Sequence, residues 1–499
     1  MWIGKNYING EFVDSGGEKF DKIDPATELP LGTFFNSTKK EIDYAYRIAR
    51  VTFEEWKKIS RVQRAEYMYT VAKLIEEKIE SLAEVISWET GKSYNESIAE
   101  VNEALHMAQY AFGSGRTPQG EAVASEISDK DSYMLRKPKG VVAIISPWNF
   151  PLAIGAFWCA APALVEGNTV VLKPSEDTPY TSQLAMEIFH EAGIPKGVIN
   201  LVHGDGSVGD HLARQEVDHI CFTGSAEVGQ HIRRICAESW HKTCSCEMGS
   251  KSAVVVFEDA DFELAIDSAL ASAFKLSGQR CVSAGRIIIQ RNIYEKFCDE
   301  FASRAAEIIA GPPFVDNGYT VGGEWKPNKG AYMGPLINNQ QLQRVDKFNK
   351  MVKNDPEATV LVEGRIANPG YFISPTVYKT EWRDAPYLKN EVFGPHVALI
   401  PFDNIHDAIG IYNDTDYGLA VGVLTNDYRK ARLCRDEMDY GMCYWNGGSI
   451  AAESHLAFGG VKKSGNGYPS AARTFRAVTH EVSWTVNHDS KLSFPQGMK

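Results

Sequence analysis

The sequence has no excess of positive charge: 52 Lys and Arg face 64 Asp and Glu, a net charge of −12. Nothing is therefore available to neutralise a run of phosphates, so nucleic acid and anionic membrane surfaces are not expected partners. A disulfide framework is missing too. Nine cysteines in 499 residues are too sparse, and odd in number, so reduced thiols and a cytoplasmic setting are expected. Cys244 and Cys246 stand two apart without further ligands at zinc spacing, so no metal site is expected. The segment Met1 to Gly10 is polar and lacks the basic-then-apolar order of a secretory leader. Internal repeats and low-complexity tracts are also absent. The one long charge-free run, Val141 to Val165, has the length of a membrane span. Pro147, Asn149, Pro151 and Pro162 interrupt it, which predicts a buried strand, a loop and the start of a buried helix.

What is present is ordered in alternating units. After short strands and turns in the first forty residues, apolar residues recur at helical spacing from Lys39 to about Ala111, as in Ala45, Ile48, Ala49 and Phe53, then Met68, Ala72 and Ile75. From Val141 strands and helices alternate: strands at Val141–Ile145, Thr169–Leu172, Ile199–Val202 and His219–Phe222, with helices at Pro179–Ala192 and Glu227–Glu238. A second block repeats the theme, with strands Ala253–Phe257 and Arg286–Gln290 and helices Phe262–Leu276, capped by Asp261, and Ile293–Ile309. Such alternation implies parallel sheets covered by helices on both faces. Pro312 to Met333 reads as a long loop, and His480–Asn487 as an exposed edge strand that needs a partner.

Three groups of residues carry candidate chemistry. Thr169–Leu172 runs into Lys173 and Glu176, placing a cation and a two-oxygen acceptor suited to ribose hydroxyls at the carboxyl end of a parallel strand. His219–Phe222 runs into Thr223-Gly224-Ser225 and then a helix, whose N-terminus favours a bound anion such as a diphosphate. Cys281 sits on a connection between a helix that Gly278 would stop and a strand, with Arg280 beside it to favour a thiolate. By residue type alone each has an ordinary alternative: Cys281 a small core residue, Glu247 a solvated turn acid, Asn149 a turn former.

Seven blocks in order resolve the alternatives: PWNFP at 147–151, GNTVVLKPSEDTP at 167–179, FTGSAEVG at 222–229, CEMGSKS at 246–252, GQRC at 278–281, EVFGP at 391–395 and FGGVKKSGNG at 458–467. With them the chain resembles the aldehyde dehydrogenase superfamily from about residue 7 to its C-terminus. The resemblance implies an α/β fold: a Rossmann-like dinucleotide-binding domain (1–120 and 141–247), an α/β catalytic domain (248–446) and a small β oligomerisation arm (121–140 and 470–499). It implies NAD(P)-dependent oxidation of a small-molecule aldehyde, with Cys281 as nucleophile, Glu247 as general base toward water, and the Asn149 amide with the Cys281 backbone N–H as oxyanion hole. Lys173 and Glu176 would hold the adenosine ribose, Gly224 and Ser225 the diphosphate, and Glu391 the nicotinamide ribose beside Phe393. Ile145, Trp148, Ser175 and Gly204 are expected on the same cofactor site. NAD is expected over NADP, since the Glu176 carboxylate repels a 2′-phosphate. A homodimer or homotetramer is implied through the arm.

Three departures from the usual family pattern stand out. Ser250 replaces a glycine in the common ELGGK, which narrows the backbone there. Leu276 and Ser277 precede GQRC where a small residue and an amide are more common, and the loop after Gly311 is long. The end of the chain is most similar to branches acting on amino-acid-derived semialdehydes, an analogy of sequence alone. Two other readings remain: an acylating branch that passes the acyl group to coenzyme A, against which the presence of Glu247 speaks, and a non-enzymatic NAD-binding or structural member, against which the survival of Cys281, Asn149 and Glu247 speaks.

Overall fold

A computed structural model describes residues 1–316, 325–468, 470–491 and 493–494. Two large sheets organise it. The first has eight strands in the order Gly465–Asn466, Thr243–Glu247, His219–Thr223, Val141–Ile145, Thr169–Lys173, Ile199–Leu201, Asn6–Ile8 and Glu11–Val13. The five from Thr243–Glu247 to Ile199–Leu201 run parallel, and the outer ones are antiparallel. Chain order proceeds outward from Val141–Ile145 in both directions, so the sheet has its switch point beside that strand, where an open α/β sheet forms a crevice at its carboxyl ends. The second sheet has seven strands: Thr359–Val362, Thr376–Lys379, His396–Phe402, Arg286–Gln290, Ala253–Val256, Ala420–Leu424 and Met442–Trp445. All but the first are parallel to their neighbours. The central strands of both sheets are apolar and buried along their length, as sheets covered on both faces require.

Four helices precede the first large sheet's core: Lys39–Trp56, Arg61–Glu77, Ile79–Thr90 and Tyr94–Ser114. The first begins with Thr38 and Glu41 in a reciprocal capping box and buries Ile42, Ala45, Ala49, Phe53 and Trp56, the spacing of one helical face. The charge-free run divides into the strand Val141–Ile145, a turn, a π-helical stretch Ala153–Ala160 and a helix Ala161–Val165. No helix among the described residues is long and apolar enough to cross a membrane. A separate antiparallel sheet joins Gly120–Val123, Lys130–Pro138 and Thr479–Asn487, with the last strand at its edge.

Two expectations need correction. The helix starting at Phe262 ends at Phe274, not Leu276; Leu276, Ser277 and Gly278 then turn through left-handed backbone, with φ of 54°, 54° and 70°. The stretch 312–333 is not all loop. Phe314–Asp316 pairs antiparallel with Trp325–Pro327, and residues 317–324 between them lie outside the described residues.

Candidate active site

The largest set of converging functional groups lies where the carboxyl ends of the first sheet meet the amino ends of the second. A cleft of about 440 Å³ opens there. From the first sheet its wall takes Trp148 and Asn149, then Ser175, Glu176 and Asp177, then Thr223, Gly224 and Ser225, each group directly following a strand. From connections that lead into strands of the second sheet it takes Gly249, Cys281, Glu391 and Phe393.

Asn149 is 5% exposed, and its Nδ2 donates to the carbonyl of Gln279 at 3.0 Å, two residues before the thiol. Its own carbonyl accepts from Lys92 Nζ at 2.8 Å. Lys92 is paired with Glu100 at 2.6 Å, both side chains fully buried, and Glu100 Oε1 accepts the N–H groups of Leu152 and Ala153. One buried ion pair thus clamps both sides of the turn that carries Asn149.

Cys281 follows the left-handed turn. The Leu276 N–H donates to Glu96 Oε1 at 2.7 Å, and Ser277 Oγ donates to the Gly334 carbonyl at 2.7 Å. A Cβ on Gly278 would lie 2.3 Å from the Gly394 carbonyl oxygen at a φ of 70°, so glycine is required there on both counts. Arg280 does not serve the thiol. It pairs with Glu96 at 3.7 Å and lies over the Phe150 ring. The Cys281 thiol is instead pushed up by burial and by the carboxylates of Glu247 and Glu391, so a base is needed to ionise it.

Glu247 ends its strand 1% exposed. Among the described residues neither carboxylate oxygen has a hydrogen-bond partner of good geometry, and burial pushes its pKa well above the ordinary range, offset only in part by the Gly460 N–H. Gly459 makes room for it, since a Cβ there would sit 2.7 Å from Glu247 Oε1. An unanswered buried carboxyl costs stability, and it marks a group kept for chemistry.

The rest of the cleft suits a dinucleotide. Lys173 Nζ donates to the carbonyls of Gly204 at 2.7 Å and Asp205 at 3.3 Å and lies 3.5 Å from Glu176 Oε2, steadying that carboxylate at the cleft. Ser225 caps the helix Ala226–Ala237, leaving its N-terminus directed at the cleft for an anion. Glu391 accepts the Ser250 N–H at 2.7 Å; burial raises its pKa to about 7. A Cβ on Gly249 would stand 2.3 Å from Glu391 Oε2, so that glycine keeps the carboxylate's place. Trp148 and Phe393 meet edge to face at 5.4 Å. Of the expected cofactor residues, Trp148, Ser175, Glu176, Gly224, Ser225, Glu391 and Phe393 line the cleft, whereas Ile145, Lys173 and Gly204 stand behind its wall. Sequence reasoning missed Lys92, Glu96 and Glu100, and the cleft residues Asn338, Gln340, Gln341 and Arg344. No metal-holding group of His, Cys, Asp and Glu occurs among the described residues.

A thiol on the cleft, an amide donor beside it and a buried carboxyl are parts that suit acyl chemistry on sulfur. The chain matches the aldehyde dehydrogenase family over residues 12–483. It is 34% identical to the α-ketoglutaric semialdehyde dehydrogenase of Bacillus subtilis, over 92% of this chain and 93% of that one. It is 35% identical to aldehyde dehydrogenase [NAD(P)+] 1 of Saccharomyces cerevisiae, over 92% and 90%. Among solved structures, betaine aldehyde dehydrogenase from Staphylococcus aureus in complex with NAD+ superposes with a TM-score of 0.91 at 32% identity, covering 98% of this chain and 96% of that one. With a match across nearly its whole length and the Cys281 thiol and Asn149 amide on one cleft, the chain belongs to the aldehyde dehydrogenase family.

Proposed function

We propose that the protein oxidises an aldehyde to a carboxylic acid with NAD, by way of a thioester on Cys281 that water then hydrolyses. The observation that carries this reading is the position of Cys281 and Asn149 on one cleft wall, with the unpartnered Glu247 carboxyl close enough to raise the thiol's pKa. Once ionised, the Cys281 sulfur adds to the aldehyde carbon. The oxygen of the resulting thiohemiacetal gains charge, and the Asn149 Nδ2 and the Cys281 backbone N–H are its donors. Hydride acceptance, which turns the thiohemiacetal into a thioester, is the chemistry that bound NAD supplies. Glu247, as carboxylate, then takes a proton from the water that attacks the thioester, and the acid leaves as the thiol is restored.

Glu391 and Glu176 are the groups for the two riboses, with Lys173 steadying the latter from behind. Gly224 and Ser225 supply the diphosphate site. The Glu176 carboxylate favours NAD over NADP by repelling a 2′-phosphate. The dinucleotide-binding part is assigned to 1–120 and 141–247 and the catalytic part to 248–446. An arm of 121–140 with 470–499 pairs with a second subunit through its edge strand Thr479–Asn487, giving a homodimer or homotetramer. Nine free cysteines, Cys281 among them, fit a reducing cytoplasm.

The substrate class is an amino-acid-derived semialdehyde, supported by the sequence analogy and by semialdehyde oxidation in the name of the Bacillus subtilis relative. Acyl transfer to coenzyme A is the second reading; Glu247 argues against it, because transfer to a thiol needs no base for water. The test is NADH formation across simple aldehydes and semialdehydes, with and without coenzyme A, and intact-mass spectrometry under turnover. Expected are an acyl adduct on Cys281, acid release without coenzyme A and loss of both in Cys281→Ala. Acid accumulating in Cys281→Ala overturns the reading.

A further inference from the structure

We propose that Ser250 is a positioning residue for this reaction: its hydroxyl fixes the carbonyl of Cys281, while its backbone N–H fixes Glu391. One residue thereby sets both the nucleophile's turn and the carboxylate at the cofactor end of the cleft. The proposal rests on the reading of Cys281 as nucleophile.

Ser250 is 4% exposed and Ser252 2%, so their hydroxyls cannot turn to water. Ser250 Oγ donates to the Cys281 carbonyl oxygen. A carbonyl only accepts, so the single Ser250 hydroxyl proton is committed to that bond. The Ser252 Oγ lies 2.9 Å from Ser250 Oγ, and with Ser250's proton used, Ser252 must be the donor between them. The Ser252 N–H adds a bond to Ser250 Oγ at 3.2 Å, and the Ala420 N–H donates to Ser252 Oγ at 3.3 Å. The hydrogen bonds therefore run one way, from the strand Ala420–Leu424 through two serines to the nucleophile's carbonyl.

Carbonyls on both sides of it are held by side chains as well. The Gln279 carbonyl accepts from Asn149 Nδ2 at 3.0 Å, and the Val282 carbonyl from Ser449 Oγ at 2.6 Å. Asn149 and Ser250 thus fix the peptides on either side of the thiol, and with them its place relative to the oxyanion donors. A glycine at position 250, as in the common family pattern, forms the Glu391 bond but not the Cys281 bond. The two bonds of Ser250 come from different atoms, so substitution separates them. Ser250→Ala removes the hydroxyl and leaves the N–H on Glu391.

The experiment follows the rate of Cys281 carbamidomethylation by iodoacetamide against pH, read by peptide mass spectrometry without substrate or cofactor. It is run beside kcat, the KM for NAD and the melting temperature for the parent, Ser250→Ala, Ser250→Gly and Ser250→Thr. Burial holds the thiol's pKa up, so a loosened turn lets in water and lowers it. Ser250→Ala and Ser250→Gly are expected to alkylate about tenfold faster at pH 8, with kcat down roughly tenfold from misplacement of the sulfur. The KM for NAD should stay within about twofold, because the Glu391 bond survives. Ser250→Thr, which keeps the hydroxyl, should restore both rates to within about threefold of the parent. Ser250→Gly guards against a variant that does not fold, since glycine is the common family residue there. Unchanged alkylation and kcat in the Ala and Gly variants, or a fall in both together, overturns the proposal, as does failure of Thr to restore them. Alkylation is measured without turnover, so it reports on the Ser250 bond even if Cys281→Ala stayed active, the separate result that would end the nucleophile reading.

Discussion

The two large sheets serve the cleft in different ways. The first presents carboxyl ends, and each of its strands Val141–Ile145, Thr169–Lys173, His219–Thr223 and Thr243–Glu247 delivers a functional residue at its end or within four residues of it. The second presents amino ends, and its contributions arrive on the approaches to strands: Gly249 before Ala253–Val256, Cys281 before Arg286–Gln290, Glu391 before His396–Phe402. A residue that directly continues a buried strand inherits its position from the sheet. A residue on an approach has to be held by contacts from elsewhere, and at the Cys281 turn the side chains of Glu96, Asn149 and Ser250 and the backbone carbonyl of Gly334 do the holding. Even at the strand ends of the first sheet the ionisable groups are met unequally: Lys173 has three oxygen partners, whereas the Glu247 carboxylate has none of good geometry among the described residues.

The sharpest way to break this comparison is to neutralise the unpartnered group. Glu247→Gln is expected to cut steady-state turnover by about 10²–10⁴-fold, the usual worth of a general base, while a first burst of NADH persists and acyl-enzyme accumulates. Rapid-quench mass spectrometry checks this; loss of the burst along with turnover would assign Glu247 to the first step as well. Next in size is the clamp under Asn149. Lys92→Met leaves Glu100 buried and unpaired and is expected to cost about 3–5 kcal/mol in denaturant unfolding. In Lys92→Met/Glu100→Leu the stranded charge is gone, but the N–H groups of Leu152 and Ala153 lose their acceptor, so recovery should be partial.

Smaller effects sharpen the contrast at the two carboxylates proposed for ribose. Glu391, raised to about 7 by burial, is largely protonated below that pH and ionised above it. Only the carboxylate accepts two hydroxyl donors freely, so NAD affinity should rise with pH through 7, by roughly tenfold between pH 6 and 8. Titration calorimetry checks this, and Glu391→Gln should flatten the profile. Glu176 is 44% exposed at its side chain, so its repulsion is screened. Glu176→Gln is expected to improve kcat/KM for NADP only about three- to tenfold, with less change for NAD. A larger gain for NAD than for NADP would remove the charge argument for cofactor preference.

Much of this was legible in advance for a physical reason. The apolar runs at 141–145, 169–172 and 219–222 are buried on both faces, so their composition alone marks them as central strands, and whatever follows them lies at the sheet's carboxyl edge. Glu176, Gly224 and Ser225 were found that way. Lys92 and Glu100 gave no signal, because a charged pair eight residues apart, one in the link between two helices and one on the second helix, looks like solvated surface until packing closes over it. Ile145 and Gly204 follow or end strands as the cleft residues do, yet they are not among the residues that line the cleft. Arg280 sits next to Cys281 in sequence, but the turn sends its side chain to Glu96.

The sequence by itself determined the order of strands and helices and the family, and it singled out the thiol, amide and carboxyl proposed to react, since those depend on residue type and local pattern. Only the tertiary structure decided that the Glu247 carboxylate lacks a well-placed donor among the described residues, that the Arg280 side chain turns to Glu96, and that Ser250 reaches the Cys281 carbonyl. Each of these depends on what elements distant in the chain place within 4 Å of one another, and hydrogen bonding and desolvation act only over such distances.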